Sequence, residues 1–152
     1  MHKEAIEILL VEDDSNDLTL ALHALREEHL SNKIHIARDG EEALDFLFCR
    51  GAFQDLDPDA CPKLVLLDLK LPKIGGLDVL DQVRATPRTR TLPVVILTSS
   101  KHDEDLSRSY HLGVNSFIQK PVEFSQFRQV IKQLGYYWIV VNQPPPNACQ
   151  PA

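Results

Sequence analysis

Four short, largely apolar runs along the chain each lead into a polar or charged residue. Ile8-Leu9-Leu10-Val11 leads into Glu12-Asp13, Leu64-Val65-Leu66-Leu67 into Asp68, and Val94-Val95-Ile96-Leu97 into Thr98. Ser116-Phe117-Ile118-Gln119 leads into Lys120-Pro121. Such runs read as buried parallel strands. Lys33 to Ala37 supplies a fifth strand, second in chain order. Between the strands the apolar spacing becomes helical. Leu18, Leu22 and Leu25 mark a first helix, with Asp14 or Ser15 as N-cap. Ala43, Leu44, Leu47 and Phe48 form a stripe after Gly40. Leu77, Leu80 and Val83 follow the Pro72, Gly75, Gly76 loop and stop before Pro87. Asp103 is placed to cap a fourth helix ending near Gly113. Phe124, Phe127, Val130, Ile131 and Leu134 are expected to face inward from a fifth.

Five β–α units predict an α/β fold: a doubly wound, five-stranded parallel sheet of order 2-1-3-4-5, covered by helices on both faces. Ligands of such sheets bind outside the carboxyl ends of the strands, at the point where strand order reverses. That point lies between strands one and three, which end at Glu12-Asp13 and at Asp68. The topology therefore predicts that Glu12, Asp13, Asp68, Thr98 and Lys120 share one cleft.

Carboxylates gathered in a cleft repel one another unless a cation joins them. An all-oxygen set suits a hard cation, and magnesium favours one or two carboxylates with retained waters and a phosphate oxygen. The plainer alternative is that Glu12, Asp13 and Asp14 only complement the positive end of the first helix. Asp68 is placed either as a nucleophile toward a phosphoryl group or as a metal ligand only. Thr98 and Lys120 are hydrogen-bond donors for phosphoryl oxygens.

Composition narrows the classes. Among 152 residues the formal net charge is -6, and Arg84, Arg88 and Arg90 form the only local basic group, read as a solvated face. A nucleic-acid partner is not expected. No apolar run reaches the ~18–20 residues of a membrane span, and the N-terminus lacks a secretory signal, so the expected compartment is cytoplasmic. Cys49, Cys61 and Cys149 are widely spaced and predict neither a disulfide framework nor a zinc site. The six histidines show no metal-ligand spacing.

The set Glu12-Asp13, Asp68 within Leu66-Leu67-Asp68-Leu69-Lys70-Leu71-Pro72, then Gly75-Gly76, Thr98 and Lys120-Pro121 resembles a response-regulator receiver domain of two-component signalling, a flavodoxin-like fold. The resemblance runs from Ile6 to Leu134. It implies that Asp68 accepts a phosphoryl group from a sensor histidine kinase. Asp13, Asp68 and the Lys70 backbone carbonyl would hold Mg2+, with Glu12 acting through water. Thr98 and Lys120 would contact the phosphoryl group, and Phe117 would be the aromatic that reorients on activation. The resemblance implies a phosphoacceptor and not a turnover enzyme.

The segment between helix two and strand three, with the tail from Tyr136 to Pro146, resembles the small response regulators paired with phytochromes. It implies a phytochrome-type kinase. Residues 1–135 are expected to form the receiver and 136–152 a C-terminal extension. Only about 15 residues follow helix five, too few for another core, which predicts a stand-alone receiver that signals through an effector, by dimerising or by phosphotransfer. Tyr136, Tyr137, Trp138 and Ile139, with Tyr110 on helix four, are expected to line a homodimer interface. The proline run is expected to leave Asn147 to Ala152 mobile. Lesser alternatives are a small phosphatase or phosphotransferase that forms an aspartyl-phosphate, a receiver-like scaffold that is never phosphorylated, and a flavin or nucleotide module. Lys70 opposes the phosphatase of haloacid-dehalogenase type, which expects aspartate there. The acidic loop after strand one, lacking a Gly-rich turn, opposes the flavin or nucleotide module.

Overall fold

The computed structural model describes residues 6–30, 33–57 and 61–145. Its five strands are β1 (Ile8–Val11), β2 (Ile34–Ala37), β3 (Leu64–Leu67), β4 (Val94–Thr98) and β5 (Ser116–Gln119). They form one sheet of order β2-β1-β3-β4-β5 in which every pairing is parallel. The helices are α1 (Ser15–Glu27), α2 (Gly40–Leu47), α3 (Gly76–Ala85), α4 (Asp103–His111) and α5 (Phe124–Gly135).

Side chains alternate across a strand with period two, and three central strands obey this throughout. Leu9, Val11, Val65, Leu67, Val94 and Ile96 face α2 and α3. Ile8, Leu10, Leu64, Leu66, Val95 and Leu97 face α1 and α5. Both faces are buried, which explains why these strands read as continuous apolar runs. Truncating Leu67 or Ile96 to alanine would cost about 2–5 kcal/mol.

The caps differ from one helix to the next. At α1 the cap is Asp14, whose carboxylate accepts the Asp17 N–H at 2.9 Å. Asp39 does the same for α2 through Glu42 N–H at 2.7 Å. Asp103 does not cap α4: His102 takes that position without a side-chain bond, and Asp103 is the first helical residue. There its charge still complements the helix dipole. Phe124 does not face inward either and is 52% exposed, because it begins α5 before the helix reaches the sheet. Phe127, Ile131 and Leu134 are buried and Val130 half-buried, as expected.

After Gly135 the chain continues α5 through Tyr136–Val141 in wider turns, with the Asn142 N–H donating to the Tyr137 carbonyl. Trp138 and Ile139 are half-buried against the α1–α5 core, while Tyr136, Tyr137, Val140 and Val141 stay exposed. A third of the apolar block, Trp138 and Ile139, thus packs in part on its own domain. Residues 146–152, including the expected mobile end, lie outside the described residues.

The absence of a disulfide framework needs correction. Cys61 is disulfide-bonded and Cys49 is a free thiol, while Cys149 lies outside the described residues. Spacing along the chain carries no information about which loops approach in space. No helix among the described residues is long and apolar enough to cross a membrane.

Candidate functional site

The register of β1 and β3 builds the site. Val11 lies opposite Leu67, so the next residues, Glu12 and Asp68, leave the sheet side by side. Both are buried, whereas Asp13 is exposed. One carboxylate oxygen from each of Glu12, Asp13 and Asp68 falls within 4.8 Å of the others. Three converging oxygens with one exposed member fit a divalent cation that keeps part of its water.

Lys120 enters from the end of β5. Its backbone N–H donates to the Thr98 carbonyl at 2.7 Å, which ties the β5 exit to the β4 exit. Its side chain is 9% exposed, and its ammonium donates to Glu12 Oε1 at 2.5 Å, Asp17 Oδ2 at 2.7 Å and Asp68 Oδ2 at 3.1 Å. All three of its protons are used. Asp68 Oδ1 accepts the backbone N–H groups of Leu69 at 2.7 Å and Lys70 at 3.4 Å. The Asp68 carboxylate is therefore held from both sides, by the ammonium and by its own following turn.

Burial dominates the electrostatics of Glu12. It raises the carboxyl to about 7, and the charge of Asp68 adds to this against the opposing influence of Lys120. Burial alone would lower Lys120, but its bonds to Asp17 and Glu12 and the charges of Asp68 and Glu12 prevail and raise it. Lys120 is accordingly a fixed positive charge at neutral pH.

Thr98 closes β4 and is fully buried, and its Oγ1 accepts the Ser100 N–H at 3.3 Å. Ser100 Oγ in turn donates to Asp105 Oδ2 at 2.5 Å, connecting the site to the first turn of α4. Phe117 on β5 is half-buried and packs on the α2–α3 side of the sheet. The Lys70 side chain is exposed, and Tyr110 is exposed on α4.

The cleft thus gathers Glu12, Asp13, Asp68, Thr98 and Lys120. Two further residues join it that the sequence pattern did not single out. Asp17 reaches Lys120 from the first turn of α1. Arg38, just past β2, donates to the Asp13 carbonyl at 3.3 Å and to Ser15 Oγ at 2.9 Å, bracing the β1–α1 loop. Asp17 read from the sequence only as an acidic residue in the first turn of α1, which complements the helix dipole. Arg38 carried none, because its reach crosses strands.

A doubly wound sheet with an acidic cluster, a buried threonine and a bonded lysine at its carboxyl edge defines a class. The response regulator receiver domain model matches residues 8–132, and the chain belongs to this family. Among solved relatives is the phosphorylated cyanobacterial phytochrome response regulator RcpA, with a TM-score of 0.85 and 34% identity over 93% of this chain and 99% of its own. The Mn(2+)-bound form of response regulator Rcp1 from Synechocystis gives 0.84 and 33%, over 91% of this chain and 97% of that one. The bacteriophytochrome response regulator RtBRR is 50% identical with a TM-score of 0.73, covering 95% of this chain and 86% of its own. The chain is a receiver homologous to phytochrome-associated response regulators.

Proposed function

We propose that Asp68 is the phosphoacceptor of this receiver, and that its donor is a sensor histidine kinase of the phytochrome type. The observation that carries the reading is the geometry at Asp68. One oxygen is held by Lys120 and the other by backbone N–H groups, beside the carboxylates of Glu12 and Asp13. An Asp68 oxygen attacks phosphorus, the new O–P bond forms as the P–N bond to the kinase histidine breaks, and the imidazole leaves with the electron pair. Lys120 and Thr98 donate to the phosphoryl oxygens as charge develops on them. Asp13, Asp68 and the Lys70 carbonyl would hold Mg2+, with Glu12 acting through water, and the ion when bound would supply positive charge against the developing negative charge. The protein acts as a cytoplasmic phosphoacceptor that assists its own modification, without turning over a free substrate. The donor assignment is supported by the likeness to RcpA and RtBRR.

The phosphoryl group is then read by an effector, a phosphotransfer partner or a second copy of this chain. Residues 1–135 make the receiver and 136–152 its extension. The exposed Tyr136, Tyr137, Val140 and Val141, with Tyr110, favour a homodimer, since exposed large apolar groups call for a covering surface. Phe117 reorients with Thr98 on phosphorylation.

Intact-mass measurement after incubation with acetyl phosphate and magnesium tests the acceptor. One added phosphoryl mass is expected, lost in Asp68→Asn and in excess chelator. Undiminished labelling of Asp68→Asn would refute it. Transfer from a phytochrome-type kinase, compared with a panel of unrelated histidine kinases, tests the donor.

A further inference from the structure

We propose that Asp17 competes with the phosphoryl oxygens for the Lys120 ammonium and so limits how fast Asp68 accepts its phosphoryl group. This rests on the phosphoacceptor reading above.

An ammonium has three protons and no fourth donor. Those of Lys120 go to three different elements: Glu12 at the end of β1, Asp17 in the first turn of α1 and Asp68 at the end of β3. One positive charge thus faces three carboxylates. An arriving phosphoryl group brings more negative charge, and its oxygens need the donors that these carboxylates already hold. The bond to Asp68 changes with the reaction, since that carboxylate becomes the acyl phosphate. Glu12 stays buried beside the developing charge and, when ionised, cannot release Lys120 without stranding its own. Asp17 differs from both. Its side chain is 31% exposed against 6% for Glu12 and 9% for Asp68, so water can replace Lys120 as its partner. Of the three bonds, the one to Asp17 is therefore the most easily surrendered, and its strength grades how much of the ammonium reaches the phosphoryl oxygens.

The geometry also makes Asp17 dispensable to the position of Lys120. Without it the ammonium keeps Glu12 at 2.5 Å and Asp68 at 3.1 Å. Removing the Asp17 charge should leave the lysine in place with a proton to spare, in a cleft that repels the donor less. In the reaction with acetyl phosphate, an Asp68 oxygen forms the O–P bond, the P–O bond to the acetyl group breaks, and acetate departs with the electron pair. Asp17 takes no part in these bonds. It acts through Lys120 alone.

The experiment compares initial phosphorylation rates with acetyl phosphate and magnesium for the wild type, Asp17→Asn, Asp17→Leu and Asp17→Glu. Because solvent screens a partly exposed charge, the gain expected for Asn and Leu is about three- to tenfold. Glu should return the rate to that of the wild type. The gain should shrink as ionic strength rises, which a merely structural role would not produce. Independently of phosphorylation, the 15N-labelled Lys120 ammonium of the metal-free protein should exchange its protons faster in Asp17→Leu than in the wild type. A wild type that labels, with Asn and Leu variants that label at the same rate or more slowly, overturns the role of Asp17 and leaves Asp68 standing. A wild type that takes no label overturns both.

Discussion

Glu12 is the residue at which this site stores its largest electrostatic cost. Its carboxyl sits near 7 in the folded protein against 4.5 for the free group, chiefly because burial disfavours its charge. Between those values the folded state binds more protons than the unfolded state, so stability falls as pH rises from about 4.5 to 7. The cost is about 3 kcal/mol at most when the carboxyl is fully ionised. His35 works in the opposite sense. Burial beneath Phe46 and Phe53 lowers its pKa, so it removes stability as pH falls through 6.5. Lys120 is raised above 10.5 and is constant across this window. The difference between wild type and Glu12→Gln therefore isolates Glu12. In chelator, urea unfolding should show Glu12→Gln gaining on the wild type between pH 5 and pH 8. A divalent cation should stabilise the wild type more than the variant. A pH-independent difference would remove Glu12 from the balance. At this scale the polar residues ending strands were legible in the sequence, because each followed an apolar run. Asp17 and Arg38 were not, because their roles come from side chains reaching another element.

Close backbone approaches hold the elements around the cleft. A Cβ on Gly76 would lie 2.2 Å from the Asp68 carbonyl oxygen and 2.7 Å from Leu69 Cα. The first turn of α3 is thus pressed against the backbone that aims Asp68. Gly40, at the start of α2, is held as tightly, since a Cβ there would come 1.9 Å from the Ile74 carbonyl oxygen. For Gly76→Ala we expect a stability loss of about 2 kcal/mol or more, since backbone cannot give way as a side-chain tip does. Phosphorylation should slow in the fraction that remains folded. Thermal unfolding and acetyl phosphate labelling check the two effects, and an unchanged labelling rate would separate α3 packing from the aim of Asp68. Farther from the cleft, Arg84 of α3 donates to the carbonyls of Gly113, Arg90 and Leu92 and to Asn115 Oδ1. One guanidinium therefore binds the end of α3 to the starts of β4 and β5. Helix α4 has a single buried residue, Ser109, so such ties matter more there than burial. The Gly-Gly pair was readable as a loop signal, but the reason for glycine at position 76 is a tertiary contact.

On the scale of the whole molecule, the proposed homodimer turns on the tail. Trp138 and Ile139 cover the α1–α5 core, so truncation after Gly135 would uncover that core as well as remove an interface. Substituting the outward groups alone is the cleaner test. Full-length protein is expected to sediment as a dimer at micromolar concentration. A variant carrying Tyr136→Ser, Tyr137→Ser, Val140→Ser and Val141→Ser should be a monomer of near-native stability that still accepts phosphate at Asp68. A monomeric wild type at high concentration, with and without phosphorylation, would assign the exposed groups to a different partner.

The sequence by itself determined the order of strands and helices, the parallel sheet and the positions of Glu12, Asp13, Asp68, Thr98 and Lys120. These follow from local chemistry: runs buried on both faces must be apolar, and a chain leaving such a strand at its carboxyl end enters a polar cleft. Only the tertiary structure decided that Phe124 faces solvent, that the tail is shared between its own core and the surface, and that Cys61 is oxidised. It alone brought Asp17 to Lys120 and Arg38 to Asp13. Those outcomes depend on distances between segments far apart in the chain, which periodicity does not encode.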